Sequence, residues 1–373
     1  MMGKLKKLTG YRLFLPLSCL IIVLLINLIT TPTFFRITIN NGVLYGYIID
    51  VINRASELVV LAVGMTLVVS ASAGTDISVG AVMAVAAAVC TRVLAGGEVS
   101  VNEYANPYVL AVLAALAAAV VCGGFNGFLV AKLKIQPMVA TLILFTAGRG
   151  ISQLVTNGQI TYIRVDGYKL LGNNIPGIPI PTPIFVAVIV VALTYILLKK
   201  TAMGMYIQSV GINERASRLV GLKSVKIIWM AYAFCGLCAG IAGLVASSRI
   251  YSADANNIGL NMELDAIAAV ALGGNSLGGG RFSLLGSVIG AYTIQALTTT
   301  LYAMSVPADQ IPVYKAIVVI LIVAVQSEEL KVFHRLNAKK CAVCGALFTP
   351  GSNRAKYCPE CAARMKRINA AKR

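Results

Sequence analysis

Runs of apolar residues broken by short polar stretches occupy most of the chain. Ten can be counted, at roughly 12–31, 55–73, 78–95, 108–131, 136–156, 183–198, 227–248, 264–280, 283–303 and 311–327. Most are near the roughly 20 residues that a helix needs to cross a bilayer. The pattern predicts an all-α polytopic membrane protein with about 10 transmembrane helices. The first run, LFLPLSCLIIVLLINLI (13–29), is longer than a usual signal-peptide core and no clear small-residue cleavage site follows it, so it is read as a span. The weak run 264–280 is either a span or re-entrant. NNGVLYGYIIDVINRA (40–55) is too polar to cross and is expected along the interface.

Threading the runs alternately from a cytoplasmic N-terminus tests the count. Lys4, Lys6, Lys7, Arg12, Lys132, Lys134, the segment Lys199–Lys226, Arg281 and everything from Lys331 onward then fall on one side, as the positive-inside rule asks. Both termini are expected in the cytoplasm, with the chain a multi-pass protein of a bacterial cytoplasmic membrane. The loop 157–183, rich in Gly, Asn and Pro, is expected to be structured surface on the outside, where an external partner could dock.

Composition narrows the class. Of 373 residues 58% are hydrophobic and 12% charged, which excludes an ordinary soluble protein. The net charge of +18 sits beside the apolar runs and at both ends, so it speaks for topology and lipid and against nucleic acid as a partner. Five of the nine cysteines are scattered in apolar runs and read as small packing residues.

Two polar breaks interrupt the apolar pattern. AGTDISVG (73–80) places Asp76 between glycines. One reading is a tight turn in which Asp76 or Ser78 caps the next helix. The other is a break reaching into the membrane, which is tolerated only where protein or a polar cavity surrounds it. Glycine-rich GGNSLGGGR (273–281) is the second break. Two breaks in opposite halves suggest two inverted five-helix halves, although glycines also serve close helix packing. The second break is not a P-loop, because Arg281 and Phe282 stand where Lys and Ser or Thr are required, and with no nucleotide site visible elsewhere this chain is expected to bind no nucleotide itself. Ionisable residues of the spans, namely Glu57, Asp76, Arg149, Glu263 and Asp265, fall near predicted span ends, which argues against ion coupling. The inside segment 199–226 is amphipathic in part and punctuated by Gly211 and Gly221, as a helix lying across a partner's groove would be.

AGTDISVGAVMAVAAA, FNGFLVAKLKIQPMVATLILFTAGRGI, GINERASRLVGLKSVKI and LDAIAAVALGGNSLGGGRFSLLGSVIGA together resemble the permease subunits of bacterial ribose-type (simple-sugar) ABC importers, over about 60–330. The resemblance implies an ATP-driven importer in which this chain forms the path for a monosaccharide and is not itself an enzyme. Its implied partners are an ABC ATPase subunit, an extracytoplasmic solute-binding protein and a second permease subunit, identical or not. It further implies that Gly211, Asn213, Glu214, Ala216, Arg218 and Gly221 form the ATPase coupling segment. Asp76, Ser78 and Gly80 match the first family signature and Asp265, Gly273, Gly274, Gly279 and Gly280 the second, as translocation path or as scaffold. Ala73-Gly74-Thr75 departs from the family's Gly-Gly-Ile, which bears on substrate more than on fold. Nucleoside or branched-chain amino-acid permeases share the architecture, and a membrane solute sensor signalling through its tail is the rival from another class.

The resemblance does not extend to the tail. After a permease domain at 1–330 and a basic linker at 331–340 carrying His334, residues 341–373 hold Cys341, Cys344, Cys358 and Cys361 as two CxxC pairs thirteen residues apart. Four thiolates so spaced suit a closed, structural zinc site in a small zinc-ribbon-like module. Disulfides are disfavoured on a cytoplasmic face. The final RMKRINAAKR suits lipid head groups or the ATPase better than nucleic acid.

Overall fold

In the computed structural model, each of the ten apolar runs contains one helix, and two more helices lie in the loop between the sixth and seventh runs. The structure describes residues 13–40, 43–326, 339–344, 347–348, 357–358 and 361–362. Their helices are α1 (Phe14–Thr30), α2 (Tyr47–Ser72), α3 (Val79–Ala95), α4 (Tyr108–Ala131), α5 (Pro137–Val155), α6 (Thr182–Lys200), α7 (Met203–Ile212), α8 (Glu214–Leu219), α9 (Ser224–Ile250), α10 (Met262–Leu272), α11 (Leu284–Ala303) and α12 (Ile311–Gln326). Six of them, α2, α4, α5, α6, α9 and α11, are long and apolar enough to cross a membrane, and shorter apolar helices lie within α1, α3 and α12. Helix α10, at 11 residues, reaches only about 16 Å, short of the roughly 30 Å of hydrocarbon. It does not span, in keeping with the re-entrant alternative. The chain separates into two compact units, Met1–Ile317 and Val318–Arg373.

The stretch 40–55 divides between a hairpin strand and the start of a long helix. Its first part is β2 (Val43–Tyr45), antiparallel to β1 (Thr38–Asn40). From Tyr47 it runs straight into α2, whose 26 residues extend about 39 Å. Asn53 of this stretch, and Glu57 just beyond it, meet a cation inside the protein. Arg249 Nη2 of α9 donates to the Asn53 carbonyl and side-chain oxygens at 3.2 and 3.3 Å and lies 3.1 Å from Glu57 Oε1. Asp50 sits in the first turn, where the helix dipole favours an acid.

Helices α2 and α9 form the centre of the first unit and are largely enclosed by their neighbours, while α4, α5 and α6 leave apolar faces outward. Close approach at the centre depends on missing side chains. Gly123 of α4 and Gly236 of α9 oppose each other, and a Cβ built on either would lie 2.9 Å from the other's Cα. Small residues at such crossings let transmembrane backbones come together and gain dispersion contact.

At the C-terminal end of α9 a small sheet joins three loops. β4 (Thr161–Ile163) pairs in parallel with β3 (Ser100–Val101) and antiparallel with β5 (Ser252–Ala253). The loop 157–183 is structured, as expected. Buried Tyr168 donates its hydroxyl to Ser247 Oγ at 2.7 Å, and Ser248 accepts from the Gly172 N–H at 2.7 Å.

Candidate functional site

At the first break the chain folds back along α2, and the same turn fixes the start of the next helix. α2 ends at Ala73, which is left-handed at φ 53°, and the chain turns back along α2. The Asp76 N–H then meets Met65 Sδ at 3.4 Å, seven residues or about 10 Å back along the helix from Ser72. Asp76 is 1% exposed. Its Oδ1 accepts from the Ser78 N–H at 2.9 Å and from the Ser78 hydroxyl at 2.6 Å, while Asn126 Nδ2 donates to Ser78 Oγ at 2.8 Å. Thr141 Oγ1 accepts from the Ile77 N–H at 3.2 Å. Through Oδ1 the Asp76 carboxylate pins the turn into α3, while the Asn126 Oδ1 beside it is buried without a hydrogen-bond partner.

Gly80, one residue into α3, is pressed against the loop before α10. A Cβ there would overlap the Gly259 carbonyl oxygen and a Glu263 carboxylate oxygen. Gly259 is left-handed at φ 68°. Its loop is held by Arg149 of α5, whose Nη1 donates to the carbonyls of Ala255 and Ile258 at 3.0 and 2.5 Å. The helix pair flanking this loop repeats the first break: α9 also closes on a left-handed non-glycine residue, Tyr251 at φ 57°, before an acid-bearing turn into the shorter α10.

Three sequence motifs meet at the opposite end of α9. The Ser70 carbonyl near the end of α2 accepts from the Gly280 N–H at 3.0 Å. Gly211, near the end of α7, lies against the same carbonyl, and a Cβ on it would overlap that oxygen and sit 2.7 Å from the Gly280 nitrogen. Gly279 and Gly280 are left-handed at φ 86° and 84°. Gly279 backs onto Ala73 and the Gly211 carbonyl, and Gly280 onto Ile212. Gly273 is elsewhere, against Gly286 at the α10–α11 crossing, and Gly274 is left-handed at φ 75° in the turn that follows. Asp265 stands apart from both, its Oδ2 2.7 Å from Lys315 Nζ of α12.

The segment beyond Gly211 is a braced, protruding turn. Asn213 caps α8 by accepting from the Ala216 N–H at 3.0 Å. Glu214 Oε1 is met by Lys134 Nζ at 2.5 Å, by Arg218 Nη2 and by Ser224 Oγ at 3.2 Å, and Arg218 Nε also donates to Ser224 at 2.7 Å. Partial burial works against the charge of Glu214, yet Lys134 and Arg218 outweigh it and hold the carboxyl below its ordinary value. Gly221, left-handed at φ 85°, closes α8, and the Leu222 N–H reaches the Ser217 carbonyl at 3.0 Å. At the tip Leu219 and Val220 are 89% and 77% exposed. Apolar side chains so placed, on a polar and braced base, are suited to burial in another protein.

In the second unit the ligand atoms of Cys341, Cys344, Cys358 and Cys361 all lie within 4.8 Å of one another. Cys344 Sγ and Cys358 Sγ are 3.7 Å apart. Four sulfurs about 2.3 Å from a tetrahedral zinc ion stand about 3.8 Å from each other, so the donor set fits a metal of that size. Backbone N–H groups of Cys344, Cys358 and Val343 pull the Cys341 thiol down to about 6.

Residues 47–326 match the family model described as "Branched-chain amino acid transport system / permease component". The chain belongs to this permease family. The match begins at the first residue of α2 and ends at the last of α12, leaving out α1, the β1–β2 hairpin and the cysteine tail. A galactofuranose transporter permease protein of Escherichia coli is 45% identical over 312 residues, covering 84% of this permease and 89% of the relative. A fructose import permease protein of Bifidobacterium longum is 38% identical, covering 89% and 92%. A ribose import permease protein of Escherichia coli is 35% identical, covering 84% and 93%. No solved structure matches the permease.

Asn126, Arg149 and Glu263 are structural members of the site that sequence reasoning did not single out as site residues. Asn126 was legible as the one amide in an otherwise apolar run, and it is fully buried.

Proposed function

We propose that this chain is the permease subunit of an ATP-driven importer and forms the translocation path for a monosaccharide. The support for the sugar class is that relatives covering most of the chain are named for galactofuranose, fructose and ribose. The family description favours branched-chain amino acids as a second reading, but it labels a broader group than those three relatives. ATP hydrolysis belongs on a separate ATPase subunit, and an extracytoplasmic solute-binding protein delivers the sugar to the end that carries the three-stranded sheet. The α8 end faces the cytoplasm.

The observation that carries this reading is the node at Gly211. A partner that grips Leu219 and Val220 would move α8, and Gly211 bears directly on the last turns of α2 and on the Gly279–Gly280 turn. Motion of an ATPase could therefore reach two span-bearing breaks without an intervening side chain. Alternating access then follows from the partners' different affinities for the two states. Asp76 and Ser78 serve in it as scaffold. The tail cysteines would hold a structural zinc, which when bound closes the small fold and offers no open position for a ligand.

The experiment is to purify the tagged chain from its native membranes in mild detergent and identify what accompanies it by mass spectrometry. Recovery of an ABC ATPase and a solute-binding protein whose pure form binds a monosaccharide is the expected result. A binding protein selective for a nucleoside or amino acid would overturn the sugar assignment, and absence of any ATPase would overturn the importer.

A further inference from the structure

Between α6 and α11 lie two adjoining recesses that share lining residues and differ chemically. One part, about 330 Å³, has Val59 of α2 at its base, Ala187, Val191 and Ala192 of α6 on one side, and Val288 and Tyr292 of α11 on the other. It is a slot between two apolar, span-length helices. The second part, about 540 Å³, is lined by Lys199, Thr201, Gln208 and Ser283 among others. Tyr195 and Leu285 belong to both. No Asp or Glu lines either part, and α6 ends in Lys199 and Lys200.

This polarity profile, a hydrocarbon slot adjoining a chamber that contains a cation and neutral hydrogen-bonding groups, matches one amphiphile. A lysine at a helix end reaches the head-group level with its stem along apolar surface, where it attracts anionic lipid. Lys199 lines the polar part and not the slot, and no acid of this chain lines either part, so its charge is left for an anion brought by the occupant. We propose that the two recesses together bind one anionic phospholipid, with an acyl chain between α6 and α11 and its phosphate against Lys199. The head-group end is also lined by Gly204 and Met205 of α7, the helix that carries Gly211. The lipid therefore lies behind the element that meets α2 at the node.

The test uses the full chain in detergent, given equal amounts of phosphatidylglycerol and phosphatidylcholine with identical acyl chains, with bound lipid counted by native mass spectrometry. One phosphatidylglycerol per chain should be retained, with about five-fold preference over phosphatidylcholine, as expected for one basic residue near the head group. Lys199→Ala should remove the preference. Ala192→Phe, which fills the slot from an exposed apolar position, should remove the lipid, and Val188→Trp serves the same purpose if that variant is not monodisperse. Equal retention of the two lipids by the unaltered chain, or unchanged retention in the slot variants, would overturn the proposal. So would a slot variant that turns a dimer into a monomer with its lipid count intact, since the slot would then seat a second copy.

Discussion

Replacing Asp76 by alanine separates a scaffold from a solute contact. The substitution removes the acceptor of two hydrogen bonds from Ser78, at 2.9 and 2.6 Å, one of them from a backbone N–H. The Ser78 site is fully buried, so water cannot replace the lost acceptor. An orphaned buried donor costs about 1–3 kcal/mol, and with the hydroxyl also losing its partner the total is about 2–4 kcal/mol. Asp76→Asn keeps an oxygen at the Oδ1 position and should cost under about 1 kcal/mol. The assay is thermal stability of the detergent-solubilised protein by gel filtration, alongside uptake in proteoliposomes containing the ATPase subunit. The alanine variant should lose several degrees of thermal stability and the asparagine variant little, with uptake following the amount of folded protein. If both variants melt like the parent while uptake is lost, the carboxylate acts on the solute and the scaffold argument is wrong.

Four further outcomes can be checked. Gly211→Ala should force apart the Ser70–Gly280 contact, leaving the protein in the membrane but cutting uptake at least several-fold while ATP hydrolysis by the assembled complex persists; unchanged uptake removes the node from the coupling route. Leu219→Asp places a charge at the exposed tip and should abolish co-purification of the ATPase without altering the thermal stability of the permease, and retained binding would move the docking surface elsewhere. Because Glu214 is held below its ordinary value of 4.5, its contribution is present above that value and is lost as pH falls through the lowered one. Coupling should accordingly be flat from about pH 8 to about pH 5, and since the cluster is partly exposed its contribution to stability should be at most about 1 kcal/mol; a loss of coupling near pH 6 would point to another group. Changing Cys341 and Cys344 to Ser should eliminate zinc from the purified protein, and stoichiometric metal in that variant would refute the four-cysteine site.

The helical plan was legible because spans are long and lipid tolerates few polar residues. The positions of the helices needed little beyond counting apolar runs and placing basic loops. What the pattern missed lies where polar groups are matched inside the protein. Tyr47–Arg54 reads as too polar for a span, but Arg249, almost 200 residues away, satisfies Asn53 and lies beside Glu57. Asp76 posed a question of capping against re-entry that periodicity could not decide, since the answer depends on Asn126 and Met65 lying alongside. The motif segments were visible singly, at 73–80, 211–221 and 273–281. That Gly211, Gly279 and Gly280 share one contact depends on left-handed turns whose direction no local pattern gives. The four cysteines were the reverse case, because spacing alone implied a common centre.

The opposed Gly123 and Gly236 have a consequence for genetics. Each backbone occupies the space that a methyl group on the other would need, so tolerance at both positions should be graded by side-chain volume and be indifferent to charge or hydrogen bonding. In a selection for growth on the imported nutrient, both would score as indispensable through packing alone, since both are buried at the crossing. A survey of loss-of-function alleles would thus outline the helix crossing before it outlined the pore, and suppressors of a Gly123→Ala lesion should arise along α9 instead of among residues that choose the cargo.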